Sequence, residues 1–201
     1  MKKINYICLI LLASFSLTIS GCSLVSESVR LSVEDTKMVQ SGATIHGDGF
    51  SVRVPEDGLY LVRNSPMQGD LCLRMRGDWP GSSYNVYPFT LSTPASSLQA
   101  AWQAHIKQHM ASKFLTDYRI LSQRTNVWQG SDAWFQTGYV PSSFLTANCV
   151  TRHGTNYYWI VRSIGLLSDE EVTNSLSSAE HDLQTFLNGF QFEQQTNSSP
   201  N

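Results

Sequence analysis

The chain has 201 residues, of which 15% are charged, with a formal net charge of −2 and four cysteines. It carries no cluster of Lys and Arg, which argues against a nucleic-acid partner. The length allows one domain with a real core once an N-terminal leader is set aside.

Lys2 and Lys3 precede an apolar run from Ile4 to Leu17. That is the layout of a secretory signal peptide. It is too short and too interrupted by Ser and Thr for a membrane span of about 20 apolar residues. The run ends in Ile19-Ser20-Gly21-Cys22. These residues resemble a bacterial lipobox, which implies a leader over residues 1–21 and lipidation of Cys22. More than one acyl chain on that cysteine gives stable anchoring, at about 0.8 kcal/mol per buried CH₂. Ser23 in the next position is compatible with sorting to an outer membrane, facing the periplasm, where the organism has one. Loss of Lys2 and Lys3 leaves 12 basic against 16 acidic residues, a net charge of −4.

Residues 22–43 are polar and are expected to form a tether, with only a weak signal for a short element within Val29–Val39. A single domain is expected over residues 44–193. Phe50, Val52 and Val54 alternate with Ser51 and Arg53, the period of a strand. Pro55-Glu56-Asp57-Gly58 is a turn by composition, and Leu59 to Arg63 resumes the pattern, which predicts a hairpin. Leu71 to Met75 gives a third strand. Tyr84 to Leu91 gives a fourth, interrupted or edge-placed by Pro88.

The period then changes. Thr93-Pro94 has the form of a helix start. Leu98, Trp102, Ile106, Met110 and Phe114 recur every four residues, which predicts a helix of about 20 residues with one buried stripe. Tyr118 to Val127, Ala133 to Val140, Ser143 to Thr151 and Asn156 to Gly165 read as four strands. Their short connections predict an antiparallel meander. Ser168 and Glu171 fit a capping box. Val172, Leu176, Ala179, Leu183 and Phe186 or Leu187 then mark a second amphipathic helix, stopped at Asn188-Gly189. Residues 194–201 form a polar tail expected to be disordered. The fold class is α+β, an antiparallel sheet flanked by helices.

Three stretches carry a resemblance. Phe50-Ser51-Val52-Arg53-Val54-Pro55 with Gly58-Leu59, Gly154 to Val161, and Phe186 to Phe192 look like segments of PsbP-like domains and DcrB-like envelope lipoproteins. The resemblance implies an α/β/α sandwich and a non-catalytic accessory or assembly role. It transfers no catalytic residues and implies no cofactor, and the loop at 74–84 has no match in it.

Cys8 leaves with the leader and Cys22 is the anchor, so Cys72 and Cys149 remain. In an exported domain a disulfide between them is the natural pairing, with two separate buried thiols as the alternative. Closing a loop of that length is worth roughly 4 kcal/mol in the chain-entropy model. His105 and His109 lie four apart on one helix face and could grip a metal, although spacing identifies no third ligand. No G-x-S-x-G marks a serine nucleophile, and Glu56/Asp57 and Glu170/Glu171 are better explained as turn and helix-start residues. Arg74 and Arg76 with Trp79 and Trp128 could form a patch for a protein or glycan partner; burial of the aromatics in the core is the alternative. The resulting expectation is a lipid-anchored, non-enzymatic envelope protein that meets a protein partner. A peptidoglycan-binding module and a metal-dependent enzyme are the alternatives.

Overall fold

The computed structural model describes residues 28–30, 36–55, 59–64, 71–75, 81–109, 116–165, 168 and 170–193. The leader, Cys22, Arg76, Trp79 and the tail at 194–201 lie outside the described residues.

Among those residues two sheets and two helices form the domain. Strands β1 (Ser28–Arg30), β3 (Thr44–His46), β4 (Phe50–Arg53) and β12 (Phe190–Phe192) make a small sheet in the order β1-β3-β4-β12. Strands β2 (Thr36–Gln40), β5 (Leu59–Asn64), β6 (Leu71–Met75), β7 (Ser82–Phe89), β8 (Arg119–Trp128), β9 (Ser131–Val140), β10 (Phe144–His153) and β11 (Asn156–Gly165) make the large one. Its order is β2-β5-β6-β7-β11-β10-β9-β8. Helices α1 (Leu98–His109) and α2 (Glu171–Asn188) cover its two faces. The expected α+β class, an antiparallel sheet flanked by helices, is what the chain forms.

Alternation decides which face each strand residue serves. Phe89, Trp134, Val150, Tyr157, Trp159 and Val161 join Trp102 and Ile106 of α1 in one cluster. Leu71, Leu73, Tyr84, Val86, Leu145, Cys149, Tyr158 and Ile160 point the other way. They meet Leu183, Phe186 and Leu187 of α2 and Phe50, Val52 and Phe190 of the small sheet. Phe50 and Phe190 stack at 5.2 Å, and Tyr158 meets Phe50 edge-on at 6.3 Å.

Several local expectations change. Residues 22–43 are not only a tether: β1 pairs parallel with β3, β2 pairs with β5, and Val39 and Ala43 are buried in the core. Polar composition hid this, because short strands bury few side chains. β4 and β5 do not form a hairpin: β4 pairs with β3 and β12, whereas β5 pairs with β2 and β6. The chain changes sheets after Pro55. Pro88 sits in a central strand, but among the described residues β6 pairs with β7 only as far as Val86, and Pro88 lies past that point. α1 starts at Leu98, where the Ser97 hydroxyl accepts the Ala100 N–H at 3.1 Å; Ser97 is therefore the cap, and not Thr93. Glu171 accepts the Ser168 N–H at 3.3 Å, half of the expected capping box. Gly189 ends α2 with φ −91°, so it is not there for a left-handed turn. A Cβ at that position would lie 3.1 Å from the Arg53 carbonyl, across the close approach of β4.

The Cys72–Cys149 disulfide is not formed. Cys72 pairs with Asn85, Asn85 with Val161, and Val161 with Asn148. Cys149 is thus three strands away, about 14 Å at normal strand spacing, and faces the opposite side of the sheet. A disulfide needs Cα atoms within about 7 Å. Burial instead pushes the Cys149 thiol far above the ordinary range, which leaves it unreactive.

Candidate interaction site

Of the metal and partner-patch candidates, only His105 and Trp128 have side chains among the described residues. His105 is buried, stacked on Phe89 at 4.2 Å and edge-on to Trp159 at 6.0 Å. Its ring is an aromatic-core element, which removes the basis for pairing it with His109 on a metal. His109 closes α1, and its side chain lies outside the described residues. No group of three metal-ligating side chains occurs among the described residues. Arg74 pairs in register with Leu61 and Ser83 in the interior of the sheet, and its side chain also lies outside the described residues. Trp128 packs against Phe190 at 5.5 Å and Phe192 at 5.6 Å. Its indole is partly buried against the edge of the core.

Beneath α1 a polar row crosses the sheet. Asn148 is 1% exposed. Its amide nitrogen lies 3.1 Å from Tyr118 Oη, 3.1 Å from the Gln136 carbonyl and 2.9 Å from Thr146 Oγ1. Its Oδ1 accepts the Trp159 indole N–H at 2.9 Å. The Gln136 amide and the Trp102 indole N–H, buried nearby, have no hydrogen-bond partner among the described residues. This cluster is closed to solvent and offers neither a nucleophile nor a paired acid and base.

Burial pushes the Tyr118 hydroxyl up to about 12, against the lowering effect of its bonds to Thr146 and Asn148. The folded-state pKa is above the unfolded value, so the contribution is fully present below about pH 10 and is lost as pH rises toward 12. Alkaline titration of stability should fall in that window by at most about 2–3 kcal/mol. In Tyr118→Phe that part of the fall should be absent. An unchanged slope in chemical denaturation at pH 9–12 would show that Tyr118 is not its source.

The open part of the molecule is its far margin. β8 forms one edge of the large sheet, and Arg119 to Val127 are exposed on both faces. Neither helix reaches over it. On the α1 side Gln123 and Thr125 border an open groove of about 520 Å³ against Ser97 and Gln99, floored by Trp134. On the α2 side Ser122 and Arg124 border a cavity of about 70 Å³ with Phe135, Thr137 and Glu180. There the Glu180 carboxylate accepts the Thr137 hydroxyl at 2.8 Å and the Ser122 hydroxyl at 3.3 Å. Ile120, Leu121 and Val127 are 51%, 43% and 65% exposed.

Two local devices hold β8 in place. Gln129 (φ 49°) and Gly130 (φ 76°) make the two-residue turn into β9, the mirror-image turn type that matches strand twist. Gly138 lets Tyr118 and β8 approach: a Cβ there would lie 2.6 Å from the Tyr118 ring and 2.7 Å from the Arg119 carbonyl.

Periodicity predicts a strand over Tyr118 to Val127 without marking it as an edge. A signal was present in the middle of β8, where Gln123 and Thr125 lie on one side and Ser122, Arg124 and Asn126 on the other. A strand polar on both sides is one that no layer covers.

No protein-family model matches the sequence, and no curated protein matches it. Solved structures do. The Ran-binding protein Mog1p of Saccharomyces cerevisiae aligns over 79% of this chain and 96% of its own, with TM-score 0.51 and 15% identity. Cyanobacterial PsbP from Synechocystis aligns over 81% of this chain and 95% of its own, with TM-score 0.46 and 11% identity. The chain is an α+β domain that shares its fold with Mog1p. At this identity the likeness is one of fold.

Proposed function

We propose that this chain is a lipid-anchored, non-enzymatic protein of the bacterial cell envelope. In this reading its domain is an accessory or assembly module for a protein partner, held to a membrane through Cys22. The observation that carries the binding role is the β8 margin, a ten-residue edge strand with both faces open and a recess on each side. Edge strands of this length are normally covered or blunted, because their unpaired backbone groups invite pairing with another chain. Mog1p, a Ran-binding protein, is compatible with the reading, since its fold serves there in a protein that meets another protein. The address rests on Ile19 to Cys22 and on Ser23, which favours the periplasmic face of an outer membrane where one exists.

The test is made in cells. A photo-crosslinking residue at Asn126 should yield a discrete high-mass adduct, and the same residue at exposed Thr173 on α2 should not. Equal yields from both positions, or none from either, would remove the binding role. Cys22→Ala should abolish incorporation of a fatty-acid analogue and release the chain from the membrane fraction. Retention of label would remove the anchor.

A further inference from the structure

The β8 margin carries two arginines and no acid of its own, although Glu180 lines the recess that Arg124 borders. Arg119 and Arg124 both lie on the α2 side of β8, opposite Tyr139 and Phe135 of β9. Their guanidinium groups sit over those rings at 5.8 and 5.3 Å. Arg119 also donates to the Tyr139 hydroxyl at 3.3 Å. A guanidinium over a ring face is attracted by the ring and keeps further N–H donors for another acceptor. Neither cation is in an ion pair among the described residues, and β8 itself contains no Asp, Glu, Lys or Pro. The opposite edge differs: β2 has only five residues, and a short edge strand is one of the ways natural sheets discourage edge pairing.

A β-bulge between Ile120 and Ser122 absorbs one residue of β8. The two arginines therefore face β9 residues four apart, Tyr139 and Phe135. Four residues of strand span about 13 Å. Any strand added outside β8 meets two cations at that spacing on one face. The exposed Ile120 and Val127 lie on the other face.

We propose that β8 accepts by strand addition an extended, Pro-free segment of a protein partner that carries carboxylates at positions i and i+4. This deepens the protein-binding reading above and rests on it. Backbone hydrogen bonds to the open edge supply affinity, and the two carboxylates set register against Arg119 and Arg124. A second copy of this chain fits less well, because pairing two β8 strands would place four guanidinium groups along one face with no acid between them.

The test uses the purified full chain as bait for a displayed library of random twelve-residue peptides. Enriched peptides should lack Pro and carry Asp or Glu at i and i+4. They should protect amides of residues 119–128 from hydrogen exchange and weaken as salt rises. Arg119→Gln/Arg124→Gln, two exposed substitutions that touch only the outer faces of Tyr139 and Phe135, should lower Tm by no more than a few degrees and weaken binding about tenfold. Failure to enrich any peptide overturns the proposal. So does enrichment without the acidic pair, or affinity unchanged in the double variant. A β8-dependent dimer in sedimentation assigns the edge to a second copy and overturns it as well. Peptides that bind and protect another surface remove β8 while leaving the protein-binding module standing.

Discussion

Asn148→Leu should destabilise the domain by about 3–5 kcal/mol, measured as a drop in the urea midpoint at unchanged m-value. The leucine fits the volume, so the cost is polar. It orphans the Trp159 indole N–H and removes the bond to the Gln136 carbonyl, in a site that is 1% exposed. Each such group left dry costs about 1–3 kcal/mol. Asn148→Asp separates the two halves of this account. The carboxylate still accepts from Trp159 but has nothing to donate to the Gln136 carbonyl or to Thr146 when ionised. Burial raises its folded-state pKa above the unfolded value, so Asn148→Asp should be steadiest at low pH and lose stability as pH rises through that value. A leucine variant within about 1 kcal/mol of the parent would mean that the row beneath α1 is not what fixes β9, β10 and β11 in register.

That row also shows where sequence reading stops. Strand existence at 133–140, 143–151 and 156–165 followed from alternation, and the α1 stripe of Ala101, Trp102 and Ile106 followed from helical period. Alternation says which residues share a face. It does not say which strand lies next door. The chain leaves β7 through α1, enters the sheet at its far edge with β8, and returns so that β11 closes on β7. A local pattern contains none of this, and both large errors come from it. The Cys72–Cys149 bond was plausible for two strand cysteines in an exported chain, and fails because β7 and β11 stand between their strands. The β4–β5 hairpin was plausible around Pro55 to Gly58, and fails because β4 finds Phe190 and Phe192 of β12 as partners. For Trp128 and His105 the pattern leaves both surface and core open, because a lone aromatic or imidazole looks the same on either side of a layer. The β8 margin was the converse: its polarity on both faces was visible, but only the sheet order makes it an edge.

Asp182→Ala should cost about 3 kcal/mol, and the reason is an asymmetry rather than the strength of the bond lost. Arg162 on β11 is 6% exposed. Its Nε donates to Asp182 Oδ2 at 3.1 Å and its second terminal nitrogen reaches the same oxygen at 3.1 Å. Its guanidinium also covers the Tyr84 ring at 4.7 Å and donates to the Ser163 carbonyl at 3.1 Å. Asp182 sits on α2, so this pair joins the helix to the sheet two residues from Glu180, the carboxylate that lines the recess behind β8. Removing Asp182 leaves a buried cation with only neutral partners. Removing both charges does not: Arg162→Met/Asp182→Leu keeps volume and orphans no ion, and should recover most of the loss, to within about 1 kcal/mol of the parent. A double variant as unstable as Asp182→Ala would mean that the pair contributes net attraction. In that case α2 is pinned beside β8 by charge, and high salt should loosen the Glu180 contacts with Ser122 and Thr137 together with it. If the double variant recovers, the hydrophobic stripe of Ala179, Leu183, Phe186 and Leu187 alone seats α2, and the recess beside β8 keeps its shape at any ionic strength.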